Sequence, residues 1–89
     1  MGELHEICER LRLLSNARSV LLLDGAGGEL ARSGDVGVTA AARLSTVTAE
    51  VRVGGRRAIL VVLYDKETSL GLVRLRVKKA SEELARLLH

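Results

Sequence analysis

Tyr64–Leu88 reads YDKETSLGLVRLRVKKASEELARLL, and it holds the end of a strand, an acidic turn and a whole amphipathic helix. Ser69 stands where a helix would begin and is a good N-cap residue. Leu70, Val73, Val77, Ala80, Leu84 and Leu87 then recur at spacings of three and four, the mark of one helix face. The segment LVRLRV also alternates partly, as a strand would, but the pattern after it decides for helix. Arg74, Arg76, Lys78 and Lys79 give this helix a basic outer face, and Glu82 precedes Arg86 by four as a stabilising pair. The rest of the chain must cover this helix or pair with the strand before it.

Upstream, Arg56–Asp65 contains AILVVLY, apolar on both faces, which reads as a central strand. Gly54-Gly55 before it is a two-residue hairpin signal. Thr46–Val53 alternates strictly: Val47, Ala49, Val51 and Val53 point one way, and Thr46, Thr48, Glu50 and Arg52 the other. That is a strand with one covered face. Val38–Leu44, VTAAARL, allows a helix of two turns at most, stable only when pressed against something. Ser33–Gly37 reads as a loop.

Near the start, Leu4, Ile7, Leu11 and Leu14 repeat at helical spacing, so Glu3 to about Ala17 reads as an amphipathic helix, with Glu6 and Arg10 as an i,i+4 pair. Ser19–Leu23, SVLLL, is a short strand. Asp24-Gly25 and Gly27-Gly28 turn it back into a second, Glu29–Ser33. The glycines do not form a phosphate loop, because no Gly-Lys-Ser/Thr or GxGxxG spacing is present and a strand follows rather than a helix.

With 89 residues, no Phe, no Trp and one Tyr, the chain is one domain, 1–89, with a thin aliphatic core. A domain of this size buries only about 60–65% of its unfolded surface, which favours a partner subunit. Cys8 is alone and reads as a small buried hydrophobe, excluding an internal disulfide framework and a multi-cysteine zinc site. The opening MGELHEICERL lacks the pattern of a signal peptide, and no stretch approaches the roughly 20 apolar residues of a membrane span. The reading is a cytoplasmic protein without membrane insertion.

Catalysis needs convergent polar groups, and few are present. His5 and His89 lie near the ends, Asp24, Asp35 and Asp65 sit where Asp caps turns, and no metal-ligand spacing occurs. The expectation is no catalytic residue, no metal and no cofactor. The net charge of +3 is concentrated late: residues 46–89 hold nine Lys and Arg against five acids, whereas residues 1–45 hold five Arg against six acids. Nucleic-acid binding by the basic helix is disfavoured, because only Tyr64 could stack on a base and Glu82 and Glu83 would repel phosphate.

The run YDKETSLGLVRLRVKKASEELARL strongly resembles the end of the bacterial roadblock family of the MglB type, and SVLLLDGAGGELARSGD is similar to that family's first hairpin. The resemblance implies an α+β fold: helix, two strands, a short helix, two strands and a helix, with helices packed on an antiparallel sheet. It also implies a homodimer with sheets joined across the interface and second helices paired. The implied partner is a Ras-like small GTPase of the MglA type, whose hydrolysis is stimulated without an inserted arginine. Cell polarity and gliding motility, in the cytoplasm and at a cell pole, are the implied setting; a scaffold that binds without stimulating hydrolysis is the alternative. On this basis Arg32, Thr39, Ala42 and Arg43 are expected near the GTPase, and Ala40 and Ala41 at the helix pair.

The sequence departs from the family where members carry a longer second helix and a further strand. Part of that helix and one strand are missing, after about Gly37 and after about Leu44. Either the protein is naturally reduced or its natural chain has more residues there; Gly37-Val38 and Leu44-Ser45 lack turn chemistry suited to so abrupt a connection, which favours the second.

Overall fold

The computed structural model describes residues 2–34 and 43–87. Helix α1 spans Gly2–Ser15, strands β1 and β2 span Ser19–Asp24 and Glu29–Ser33, β3 and β4 span Ser45–Val53 and Arg56–Tyr64, and helix α2 spans Leu70–Ala85. The strands form one antiparallel sheet in the order β2-β1-β4-β3. The expected α+β architecture is therefore present, with AILVVLY as a central strand. The short helix expected over Val38–Leu44 falls mostly outside the described residues; Arg43 and Leu44 form a turn and a bend rather than helix.

Both helices lie on one side of the sheet: α1 against β1 and β2, α2 against β3, and each against the other. The core between the layers is Ile7, Cys8 and Leu11 of α1, Val20 and Leu22 of β1, Ala58, Leu60 and Val62 of β4, and Val73, Val77, Ala80 and Leu84 of α2. Alternation produces this face: the partners Val20↔Val62 and Leu22↔Leu60 point toward the helices, as does the pair Val47↔Val62 on the other side of β4.

Three sequence expectations about the helices are corrected. Leu14 is 47% exposed, and the last turn of α1 instead buries Ser15 completely. Ser15 is 100° further round the helix. Its small side chain permits close packing there, and its hydroxyl donates to the Leu11 carbonyl at 2.6 Å. Leu70 is likewise 38% exposed, so the buried stripe of α2 begins at Val73. The expected pairs Glu6–Arg10 and Glu82–Arg86 give way to one tie between helices, Arg10 to Glu83 at 2.5 Å.

The ends of the elements follow local chemistry. Asn16, at φ 60°, occupies the left-handed position that closes a helix, and Ala17 N–H donates back to the Arg12 carbonyl at 3.0 Å. Ser69 caps α2 by accepting from Leu72 N–H. Asp24 Oδ1 accepts from the N–H groups of Ala26 and Gly28 at 2.9 and 2.7 Å, and Gly27 supplies the positive φ of the β1–β2 turn. Gly54 and Gly55 both have positive φ, as a two-residue hairpin turn requires.

Candidate functional site

The helices leave the second side of the sheet uncovered among the described residues. The same alternation that builds the core places Leu21 and Leu23 of β1 and Ile59, Val61 and Leu63 of β4 on this open side. They form a contiguous apolar strip two strands wide. Four of them are only half-buried and Ile59 is 40% exposed. Central strands with apolar residues on both faces are normally covered twice, so this strip is the part of the sequence that the described core does not use.

Polar residues frame the strip. On β3, Thr46, Thr48 and Glu50 stand opposite Leu63, Val61 and Ile59, and Arg52 stands opposite Arg57. Glu50 accepts an ion pair from Arg57, and Arg52 donates to the Gly55 carbonyl at 3.0 Å. On the far side, Arg32 stands opposite Leu21 and is held by Glu29 at 3.2 Å. An apolar centre with a charged rim is the usual composition of a protein-docking surface.

Of the residues expected at the GTPase surface, Arg32 is an exposed rim residue on edge strand β2, and Arg43 is exposed in the turn leading to β3. They flank the sheet from opposite edges, three strand spacings apart, with Arg43 also five residues along the chain from Thr48, the β3 residue in line with Arg32, and they are not brought together. Thr39 and Ala42, with Ala40 and Ala41 of the expected helix pair, lie outside the described residues. The apolar strip itself was missed as a site. Its signal was already present in the two-faced apolarity of AILVVLY.

Several of the remaining polar groups are held by neighbours. Asp65 Oδ1 accepts from Glu67 N–H at 3.0 Å while Oδ2 receives Arg18 at 3.3 Å. His5 is exposed on α1 beside Glu9. Cys8 is fully enclosed, and burial raises its thiol from 9.0 to about 11, the property of an inert core cysteine rather than a nucleophile. Among the described residues no His, Cys, Asp and Glu gather into a metal-binding group. No described helix is long and apolar enough to cross a membrane. On α2, Arg74, Lys78 and Lys79 are exposed as expected, but Arg76 is partly buried, so the basic face is narrower than the sequence suggested.

An open cleft of about 1360 Å³ lies at one end of the helical layer, bordered by Leu4, Leu30, Val53, Arg56 and Leu87.

A two-layer α+β sheet with both helices on one side is a fold of the roadblock kind. No family model matches the sequence, and no curated protein matches it. Among solved structures, Myxococcus xanthus MglB is 30% identical over 97% of this chain and 94% of its own, with a TM-score of 0.75. The gliding protein MglB of Thermus thermophilus is 25% identical over 91% of this chain and 84% of its own, at a TM-score of 0.66. A structure of MglB with a tetrameric arrangement shares the fold at 23% identity, covering 91% of this chain and 84% of its own, at 0.70. The chain belongs to the MglB-like roadblock family.

Proposed function

We propose that this protein is a non-catalytic, homodimeric regulator that binds a Ras-like small GTPase of the MglA type and stimulates its hydrolysis of GTP. The setting is cytoplasmic, in bacterial polarity or gliding motility, with the cell pole as the site of action. The observation that carries the reading is the likeness to Myxococcus xanthus MglB along nearly the whole chain. The open apolar strip with its charged rim supports a protein partner, and the shortage of convergent acid, base or nucleophile among the described residues supports a role in which the GTPase supplies the chemistry. Stimulation then arises from holding the GTPase's own water-positioning and charge-stabilising groups in place.

Single-turnover hydrolysis by an MglA-type GTPase, with and without this protein in excess, tests the reading. A rise in rate that saturates with concentration is expected. Complex formation at unaltered turnover would select the scaffold role instead, and no complex at all would end both.

A further inference from the structure

The helix side of the sheet runs out of large side chains at the end where β1 turns into β2 and β3 into β4. Along β4 the core residues step from Val62 and Leu60 down to Ala58. Along β1 they step from Val20 and Leu22 to Asp24, the partner of Ala58. Asp24 turns its carboxylate back onto N–H groups of its own turn, so it does not extend the apolar layer. The cleft of about 1360 Å³ lies here, between the start of α1, the β1–β2 turn, the start of β2, the β3–β4 hairpin and Leu87 just after α2. Leu4, Val53 and Leu87 pack on the core only in part, and Leu30 is 43% exposed. Leu22 pairs with Ala31 and Leu23 with Glu29, which leaves Leu30 as the unpaired residue of a bulge. Bulges re-aim a side chain out of the strand's alternation, and Leu30 and Ala31 both border the cleft.

Charge divides the border by layer: the helices bring Glu3 and Glu6, and the sheet brings Arg56. All three are exposed, and none forms an ion pair with another described residue. Size argues against a small molecule, because pockets that enclose one run to about 300–1,000 Å³. The cleft matches about two to three turns of α-helix, a cylinder about 10–12 Å across that rises about 5.4 Å per turn. An extended peptide fits less well. Its N–H and C=O groups would lie against Leu4, Leu30 and Val53 without partners, and β2, the edge beside them, has five residues and is bulged at this point, which resists strand addition. A helix satisfies its own backbone and presents only side chains.

We propose that the cleft is a docking groove for an amphipathic helix of a partner protein. Its apolar stripe sits on Leu4, Leu30, Val53 and Leu87, with basic residues on the flank that meets Glu3 and Glu6 and an acidic residue on the flank that meets Arg56. Flanks of opposite sign select this helix against one that is basic on both sides, which Arg56 repels. The groove is on the helix side of the sheet and the strip read above as the GTPase surface is on the other. The two partners therefore do not compete.

A displayed library of helical peptides of about 14 residues tests this on the intact protein. Stripe positions vary among Leu, Ile, Val and Met, and each flank position is Lys or Glu. Enriched peptides are expected to carry Lys on one flank and Glu on the other, and to lose at least about tenfold in affinity on Leu30→Asp. On Arg56→Glu they should weaken at least about fivefold while versions with Lys on both flanks strengthen, a reversal that a merely structural role would not produce. Should Leu30→Asp fail to fold by circular dichroism, the exposed Arg56→Glu carries the test. No enrichment over a scrambled library, or peptides that bind both variants as tightly as wild type, would overturn the groove. Binders kept by Leu30→Asp but lost on Ile59→Lys would belong to the strip and overturn it equally. Affinity that falls as protein concentration rises would make a second copy the occupant and overturn the partner. Both variants should bind the MglA-type GTPase as wild type does; a shared loss would merge the two surfaces and overturn a separate partner. The peptide results stand whether or not a GTPase binds.

Discussion

The Thr68 hydroxyl donates to the Asn16 carbonyl at 2.8 Å across 52 positions of sequence, fastening the loop before α2 to the end of α1. Thr68 is 8% exposed, and Asn16 holds its left-handed conformation at this same point. Thr68→Val keeps the shape but removes the donor. It should cost about 1–2 kcal/mol in urea unfolding, because the carbonyl loses a buried partner. A change under about 0.3 kcal/mol would show that water replaces the hydroxyl without loss.

The enclosed Cys8 thiol makes stability fall in alkali. Its native value, raised by burial from 9.0 to about 11, means that the folded protein holds the proton longer than the unfolded chain does. The contribution is complete below pH 9 and is lost as pH rises through 11, amounting to at most about 3 kcal/mol. Urea midpoints at pH 8 and 10.5 should therefore separate in wild type and converge in Cys8→Ala. At pH 8 the native thiol should react with a disulfide reagent only at the rate of unfolding.

Gly34 has φ 84°, and a Cβ there would collide with the Arg18 carbonyl and approach Arg12 Cδ to 2.8 Å. The same arginine donates Nε to Ser33 Oγ at 2.8 Å. Gly34→Ala should lower stability by about 2 kcal/mol or more, since both backbone conformation and contact are unfavourable. A melting temperature within a degree of wild type would contradict this.

Two leucines separate burial from hydrophobicity. Leu60 is 1% exposed, and Leu60→Ala should cost about 2–5 kcal/mol through lost burial and a cavity. Leu14, which the sequence pattern placed in the same class, is half-exposed, and Leu14→Ala should stay within about 1 kcal/mol. Equal losses in chemical denaturation would refute the placement of Leu14.

Ile59 offers a probe of the open side that spares the core. Ile59→Lys sets a cation opposite Glu50, should change stability by less than about 1 kcal/mol, and should weaken binding of the MglA-type GTPase by roughly tenfold or more, through a charge placed in an apolar contact. Unaltered affinity, measured by calorimetry, would remove the strip from the binding surface.

The sheet was legible because its signals are local. Thr46–Val53 alternates without exception, and Gly54-Gly55 and Asp24–Gly28 carry their own turn chemistry. What lay beyond the sequence was mostly tertiary. AILVVLY announces a two-faced strand but not which face the helices take, and Leu14 fits a helical stripe whose centre only packing sets. Arg10 chooses Glu83 over Glu6 because the helices run side by side, a fact no window of residues contains. Of the candidate site, Arg32 and Arg43 are exposed at opposite edges of the sheet, and the apolar strip emerged only when register showed which side chains the core had left over.

Each central strand carries two independent texts on alternate letters. Ala58, Leu60 and Val62 are read by the helices, and Ile59, Val61 and Leu63 by whatever meets the sheet from outside. A lineage can therefore rewrite the open side one residue in two while the scaffold stays fixed. Tolerance to substitution along β4 should then oscillate with a period of two residues, and the phase of that oscillation should reverse between a screen for folding and a screen for binding.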